Sequence, residues 1–501
     1  MKKRVFGTAL LTLGLLAGCS KDYLELQPRN AASTETFYTN ETDAIQATTS
    51  AYSQLNKQGM FNGSLWAIDI MSDNSVTGGG GASDGIQFQQ VDNFLIPPTN
   101  AVVTNLFQRA YVGIGAANQV LFNVPGISMN ETIKKRCLGE AQFLRALYYF
   151  YLVRTFGDVP LVLVPAKSAA EASSVTRSPA ADVYTQIEKD LLDAIENLKG
   201  LAPYTGNDVG RVTEWAARAL LAKVYLTEGK KSEAAVLART VIDGSGKSLW
   251  ANYGDNFKLE NENGRESLFE VQFKSGLNGF TQDGPGSAIN EYWGARFFGD
   301  PYVVSGGGFG QNIPEKEFVD GYEPGDTRKA VTVFVPGDRY PPDPKNPAGQ
   351  VQPASLQGSP FGFNVRKFFV GTLPNGLDSP LNVPVLRLAE VYLILAESVG
   401  PTAEGLEAIN KVRRRAFGLP INTPSARDLT AATPNFEAAV LRERRYELAF
   451  EMDRWYDLKR TNTLLTNPNL VAKGIKPINV VLPIPQAEID VNPRLIQNTG
   501  Y

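Results

Sequence analysis

NFEAAVLRERRYELAFEMDRWYDLKR, running from Asn435 to Arg460, is the stretch that decides the fold. Pro434 stands just ahead of it; proline cannot continue a preceding helix but suits a helix entry. Leu441, Leu448, Met452 and Trp455 follow at separations of seven, four and three, which stacks them on one helical face. Arg444 precedes Glu447 by three residues and Glu451 precedes Arg454 by three, so the flank carries opposite charges within reach. One apolar stripe edged by arginine-rich turns predicts a single helix wedged between others, its guanidinium groups gripping carboxylates and carbonyls. Such networks are structural more often than they are ligand sites. The stretch reads as scaffold.

Helical patterns dominate upstream. Asn40 can cap a run to Lys57, a second run covers Val102 to Phe122, and Ser128 with Glu131 forms a capping box before a run to Phe156. Ser178 and Pro179 open a helix through Leu198, and Thr213 opens one through Glu228. Ala222-Lys223-Val224-Tyr225-Leu226 is echoed by Ala389-Glu390-Val391-Tyr392-Leu393, each ahead of a glycine-containing turn and a second helix, Ser232 to Ile242 and Ala403 to Phe417. Paired helices with alanine where backbones approach predict a mainly α fold of stacked tetratricopeptide-like hairpins. From Asp243 to Val383 the chain turns rich in Gly, Asn, Asp and Pro, with short strand-like runs at Leu268 to Phe273, Val331 to Val335 and Val365 to Val370. Pro336 to Pro353 reads as a mobile excursion, Leu386 to Glu390 as the point where helices resume, and Val480 to Pro485 as a last extended segment.

Arg444-Arg445-Tyr446-Glu447-Leu448-Ala449-Phe450-Glu451, followed by Arg454-Trp455-Tyr456-Asp457-Leu458-Lys459-Arg460, resembles the C-terminal signature of the SusD/RagB family of outer-membrane nutrient-binding, glycan-binding lipoproteins. Tyr23 to Pro28 and the tail from Pro483-Ile484-Pro485-Gln486 through Asn492-Pro493 to Tyr501 are similar to the family's ends. Where the family usually carries a glycine after the last glutamate, Met452 and Asp453 stand here, which bears on a local turn. The resemblance implies a SusD-like arrangement: a signal peptide over 1–18, a helical region over 19–242, and a C-terminal region over 243–501 packed on the same scaffold.

Composition narrows the chemistry. A net charge of −3 leaves no basic footprint for nucleic acid. Histidine is absent and cysteine appears twice, at Cys19 and Cys137, which removes Ser-His and Cys-His catalysis, His-ligated zinc and any disulfide framework. Lys2, Lys3 and Arg4 precede an apolar stretch from Val5 to Leu16, a signal peptide too short to span a membrane. Leu16-Ala17-Gly18-Cys19 closes it as a bacterial lipobox, which makes Cys19 the lipidation site and tethers the mature chain by acyl groups. Ser20-Lys21-Asp22 resembles the surface-export tag of Bacteroidetes lipoproteins.

The glycine runs Gly78 to Gly81 and Gly306 to Gly308 lack the Lys-Ser/Thr and the strand-to-helix setting of a phosphate loop, and read as turning loops. A glycosidase needs two carboxylates about 5 to 9.5 Å apart, and Asp69 with Asp73, at i and i+4, is the nearest candidate pair. Sugar binding asks instead for flat aromatic surfaces beside amides, carboxylates and guanidiniums. Asn290-Glu291-Tyr292-Trp293-Gly294-Ala295-Arg296-Phe297-Phe298 supplies that mixture, and Trp66 ahead of Asp73 and Asn74 is a second source. Tyr292, Trp293, Arg296, Trp66, Asp73 and Asn74 are therefore the expected ligand contacts, with no catalytic residue, metal or cofactor. By resemblance, the chain binds an oligosaccharide and delivers it to a SusC-like TonB-dependent β-barrel transporter. The alternatives are the same fold capturing peptides, or a surface glycosidase.

Overall fold

The computed structural model describes residues 37–276, 283–299, 302–342 and 347–501. Leu16 to Cys19, the export tag and Tyr23 to Pro28 lie outside the described residues. The longer helices are α1 (Glu41–Tyr52), α2 (Ala101–Asn123), α3 (Glu131–Phe156), α4 (Ala180–Leu198), α5 (Glu214–Thr227), α6 (Lys231–Gly244), α7 (Leu388–Val399), α8 (Ala403–Ala416), α9 (Phe436–Glu447) and α10 (Arg454–Arg460). Their starts are set by side chains that accept orphan backbone N–H groups. Asn40 accepts from Asp43 N at 3.1 Å and Thr213 from Ala216 N at 3.3 Å, at the expected positions. The α3 cap is Asn130, not Ser128: its Oδ1 accepts from Thr132 N at 2.9 Å and Ile133 N at 3.2 Å, and the helix begins too late for Ser128 to reach it.

Neighbours in the chain are neighbours in space, from α1 on α2 and α3 through α4, α5 and α6 to α7, α8 and α9. A Cβ on Gly113 of α2 would come within 2.3 Å of the Tyr148 ring of α3, so glycine there lets the two helices close. The Tyr148 hydroxyl passes on to donate to Ala51 O of α1 at 2.7 Å. The hairpins α5–α6 and α7–α8 pack through α6 on α7. Second positions of the echoed pentapeptides meet across that junction: Lys223 Nζ lies 3.0 Å from Glu390 Oε1, both buried. The scaffold is helical, as the repeats predict.

The strands are short and scattered: β1 (Ser75–Val76), β2 (Val159–Pro160), β3 (Arg177–Ser178), β4 (Ser267–Val271), β5 (Ile313–Pro314), β6 (Val333–Phe334), β7 (Asn364–Val365) and β8 (Val383–Arg387). They pair antiparallel as β1–β5, β2–β3, β4–β8 and β6–β7. β8 was hidden from the sequence because it runs without a break into α7 at Leu388, so its apolar residues read as helix. The excursion from Pro336 to Pro353 is packed at its base. Tyr340 and Gln352 are buried, the Tyr340 hydroxyl donates to Gln352 Oε1 at 2.7 Å, and a small satellite core of Val303, Val304 and Phe334 lies beneath.

The C-terminal signature is two helices rather than one. α9 stops at Glu447, Phe450 and Met452 adopt φ of +63° and +64°, and α10 starts at Arg454. Left-handed backbone costs a non-glycine residue roughly 1 kcal/mol or more. Burial of both side chains holds the turn in place without the glycine. The reversal also replaces the expected charge pairs by tertiary ones. Arg444 Nε donates to Asp457 at 2.9 Å, Glu451 accepts from Arg387 Nε at 2.7 Å and Lys367 at 2.9 Å, and Arg454 Nε donates to Asp73 at 2.7 Å. At the centre, buried Glu447 accepts from Arg415 at 2.6 Å, from Arg328 at 3.2 Å and from Arg387. Glu266 accepts from the same Arg387 and Arg415 at 3.0 and 3.1 Å. Desolvating these charges is costly, and it is tolerated because Glu447 and Glu266 each face at least two guanidiniums.

Candidate functional site

The residues expected to touch ligand fall into two groups. Trp66, on the short helix Ser64–Asp69, is 0% exposed, and Trp293, at the end of Ile289–Trp293, is 2% exposed. Their rings meet edge to face at 6.3 Å, and Trp66 also lies 5.0 Å from half-buried Tyr292 and 4.9 Å from Phe88. The aromatics do come together, but the indoles are enclosed and offer no face to a ligand. They were attractive in sequence because ring content is legible and ring direction is not. Trp293→Ala should therefore cost about 3–5 kcal/mol of stability, as for a core aromatic, measured by chemical denaturation.

Asp73 and Asn74 are also interior. Burial alone would raise the Asp73 carboxyl, but Arg454 and Arg445 hold it well below the usual carboxylate range. Its oxygens accept from Arg454 at 2.7 and 2.8 Å and from Asn467 at 2.9 Å. Asn74 Oδ1 accepts from Arg445 at 2.8 Å. These contacts clamp the start of β1 to the C-terminal signature. Asp69 is buried with neither carboxylate oxygen hydrogen-bonded, and burial, reinforced by Asp453, pushes its carboxyl up to about 7. Neither member of the pair faces solvent, so no hydrolytic dyad is open there.

The Asp69 shift fixes a sign. Its folded pKa of about 7 lies above the unfolded value, so its contribution is most favourable below pH ~4 and is lost as pH rises toward neutrality. Asp69→Asn is expected to match wild type near pH 4 and to be more stable at pH 8, by at most about 4 kcal/mol, in melts at the two pH values.

The aromatic surface that does face solvent begins four residues beyond Trp293. Phe297 is 49% and Tyr302 46% exposed, with ring centroids 5.9 Å apart and planes tilted by 52°. Phe297 takes φ +44°, and its N–H donates to Gly307 O. A Cβ on Gly307 would come within 2.4 Å of the Phe297 ring and 3.4 Å of the Tyr302 ring, so the second glycine run is the seat on which both rings lie. Arg296 stacks over Phe297 at 4.7 Å, forms an ion pair with Asp84 Oδ2 at 2.9 Å and donates to Phe309 O at 3.2 Å. Asp84 in turn accepts from Gly80 N at 2.6 Å.

Three glycine-rich loops thus converge. Gly79 N donates to Gly310 O at 2.8 Å, and a Cβ on Gly358 would lie 2.5 Å from Gly79 O. Phe361, 48% exposed, stands three residues beyond that contact. Of the expected residues Arg296 lies against this surface, while Tyr292 packs on Trp66, Phe88 and Phe309. Phe297 lay inside the segment singled out from sequence, and its signal was the surrounding glycines, Gly299 and Gly306 to Gly308. No group of three or more metal-ligating side chains occurs among the described residues.

Exposed rings beside a self-neutralised ion pair, carried by loops on a helical stack, form a candidate binding surface. A family model described as the SusD family matches residues 235–501. The chain belongs to the SusD family. A further model, described as starch-binding associating with outer membrane, matches residues 22–226. SusD-like protein P2 of Formosa agariphila is 28% identical over 99% of both chains. Starch-binding protein SusD of Bacteroides thetaiotaomicron is 24% identical over 77% of this chain and 76% of its own. A solved laminarin-binding SusD-like protein superposes with a TM-score of 0.78 at 31% identity, covering 93% of this chain and 100% of that one. The SusD-family fold accounts for the stacked hairpins and the loops that join them.

Proposed function

We propose that this SusD-family protein is a non-catalytic, cell-surface lipoprotein that binds an oligosaccharide on the Phe297–Tyr302 platform. The observation that carries the reading is the exposed, tilted ring pair, because pyranose faces present C–H groups that stack on flat aromatic surfaces. Arg296 and Asp84 neutralise each other beside the rings, which favours an uncharged glycan whose hydroxyls accept from one and donate to the other. The starch- and laminarin-binding names of its relatives support a glucan. Cys19 anchors the chain in the outer membrane, and a SusC-like TonB-dependent β-barrel receives the ligand, with this protein acting as a lid whose closure is driven by binding. No helix among the described residues is long and apolar enough to cross a membrane, and tethering by lipid needs none.

Calorimetry with laminari- and malto-oligosaccharides, alongside an assay for released reducing ends, tests this. Saturable binding without new reducing ends is the expected result. Release of reducing ends would make the protein a glycosidase, and binding of peptides in place of glycans would favour the peptide-capture alternative. For the anchor, Cys19→Ala is expected to leave the outer-membrane fraction in cells lacking the transporter; equal recovery with wild type would refute lipid tethering.

A further inference from the structure

A cavity of about 290 Å³ lies in the helical scaffold and shares no lining residue with the aromatic platform. Its floor is apolar, from Leu198 at the end of α4 and Leu268 and Phe269 of β4, and its walls include Tyr204 and Trp215. Trp215 rests against Gly244, where a Cβ would come within 2.6 Å of the indole. The residues from Gly200 to Val212 roof it. This segment is latched by one buried carboxylate: Glu140 accepts from the Tyr204 hydroxyl at 2.6 Å and from Arg211 at 3.0 Å. Val212 N donates to the Tyr52 hydroxyl at 2.9 Å, and Gly200, Gly206 and Gly210 take positive φ along the same roof.

The charges at the rim are unbalanced. Glu214 is the acidic residue of the lining, and both its oxygens are engaged, by Gly200 N at 2.7 Å and Arg218 at 3.0 Å. Arg211 is occupied by Glu140, Asp208 and Thr49. Arg136 and Lys247 also line the cavity, and neither has a carboxylate within ion-pair distance among the described residues. Arg136 stacks over Tyr204 at 4.3 Å and donates to Ala202 O at 2.7 Å. Lys247 donates to Gly264 O at 2.8 Å. Burial lowers the Lys247 pKa against the weaker pull of Glu270, which is the behaviour of an ammonium lacking a counter-ion.

We propose that this cavity binds a small organic carboxylate with a flat apolar body, its ring between Tyr204 and Trp215 and its carboxylate on Lys247 and Arg136. The volume sits near the lower end for ligand pockets, about 300 Å³, which limits the body to about one ring. A neutral sugar would leave the two cations uncompensated and press hydroxyls on leucine and phenylalanine. The site is independent of the glycan platform.

The test is calorimetry on the mature chain with benzoate and 4-hydroxycinnamate, against the corresponding neutral amides. The acids are expected to bind saturably at one site, at least tenfold tighter than the amides. Lys247→Met and Arg136→Leu should each weaken acid binding about tenfold, with circular dichroism confirming that the variants remain folded. Phe297→Gly should leave acid binding unchanged. Absence of saturable binding at millimolar acid, equal affinity for acid and amide, or unchanged affinity in both folded cavity variants would overturn the proposal. Loss of acid binding in Phe297→Gly would place the acid on the platform instead, and would overturn it too.

Discussion

Glu447→Ala is expected to remove about 3–5 kcal/mol of stability, the cost of deleting one partner of a buried ion pair. The substitution leaves Arg328, Arg387 and Arg415 buried together with one of their carboxylates missing. Against a typical total of about 5–15 kcal/mol, that loss is a large fraction of the whole and should lower the melting temperature by several degrees. The acid limb of the stability profile should change as well. Burial alone would raise the Glu447 carboxyl, but Arg415, Arg387 and Arg328 hold it well below the usual range. With its folded pKa depressed, Glu447 contributes stability above the unfolded carboxylate pKa, about 4.3, and loses it as pH falls through the folded value. Denaturant melts from pH 7 down to pH 3 should show wild type losing stability toward acid more steeply than Glu447→Ala. Parallel curves of equal midpoint would show that the network adds nothing.

Phe297→Gly is expected to do the reverse: weaken glycan binding about thirtyfold and leave stability equal or slightly raised. The ring is half of the platform, and removing a stacking anchor at a hot spot costs about 2 kcal/mol or more, roughly thirtyfold in affinity. Its backbone, at φ +44°, is one that glycine adopts without strain, so the substitution relieves what phenylalanine stores there. Tyr302→Ala should weaken binding by a similar factor. The double variant should fall below calorimetric detection with an unchanged melting temperature. Wild-type glycan affinity in Phe297→Gly would move the site away from these rings.

Much of the architecture was legible from local rules. Asn40 and Thr213 cap where short polar side chains ahead of apolar periodicity say they should, and the echoed pentapeptides mark hairpins that do pack together. The failure at the C-terminal signature depended on contacts distant in the chain. The turn at Phe450 and Met452 breaks a continuous helical pattern because arginines elsewhere, Arg387 among them, take Glu447 and Glu451 as partners. Tyr292 and Trp293 share a segment with Phe297, yet a helical turn points Trp293 inward while the left-handed step at Phe297 throws the next ring outward. No residue-type signal distinguishes those outcomes. A non-glycine residue beside a run of glycines was the available hint.

The loops that carry the platform hold one another largely through main-chain atoms: Gly79 to Gly310, Phe309 to Glu291, Gly310 to Gly294 and Gln311 to Tyr292. Such bonds are indifferent to the side chains above them, whereas the arginine–carboxylate centre depends on every partner it has. Inherited change is therefore channelled. Exposed positions such as Phe297, Tyr302 and Phe361 can change with little penalty in folding, while the interior tolerates almost none. A scaffold with this division can exchange its ring-bearing rim residues one step at a time, each variant still folded.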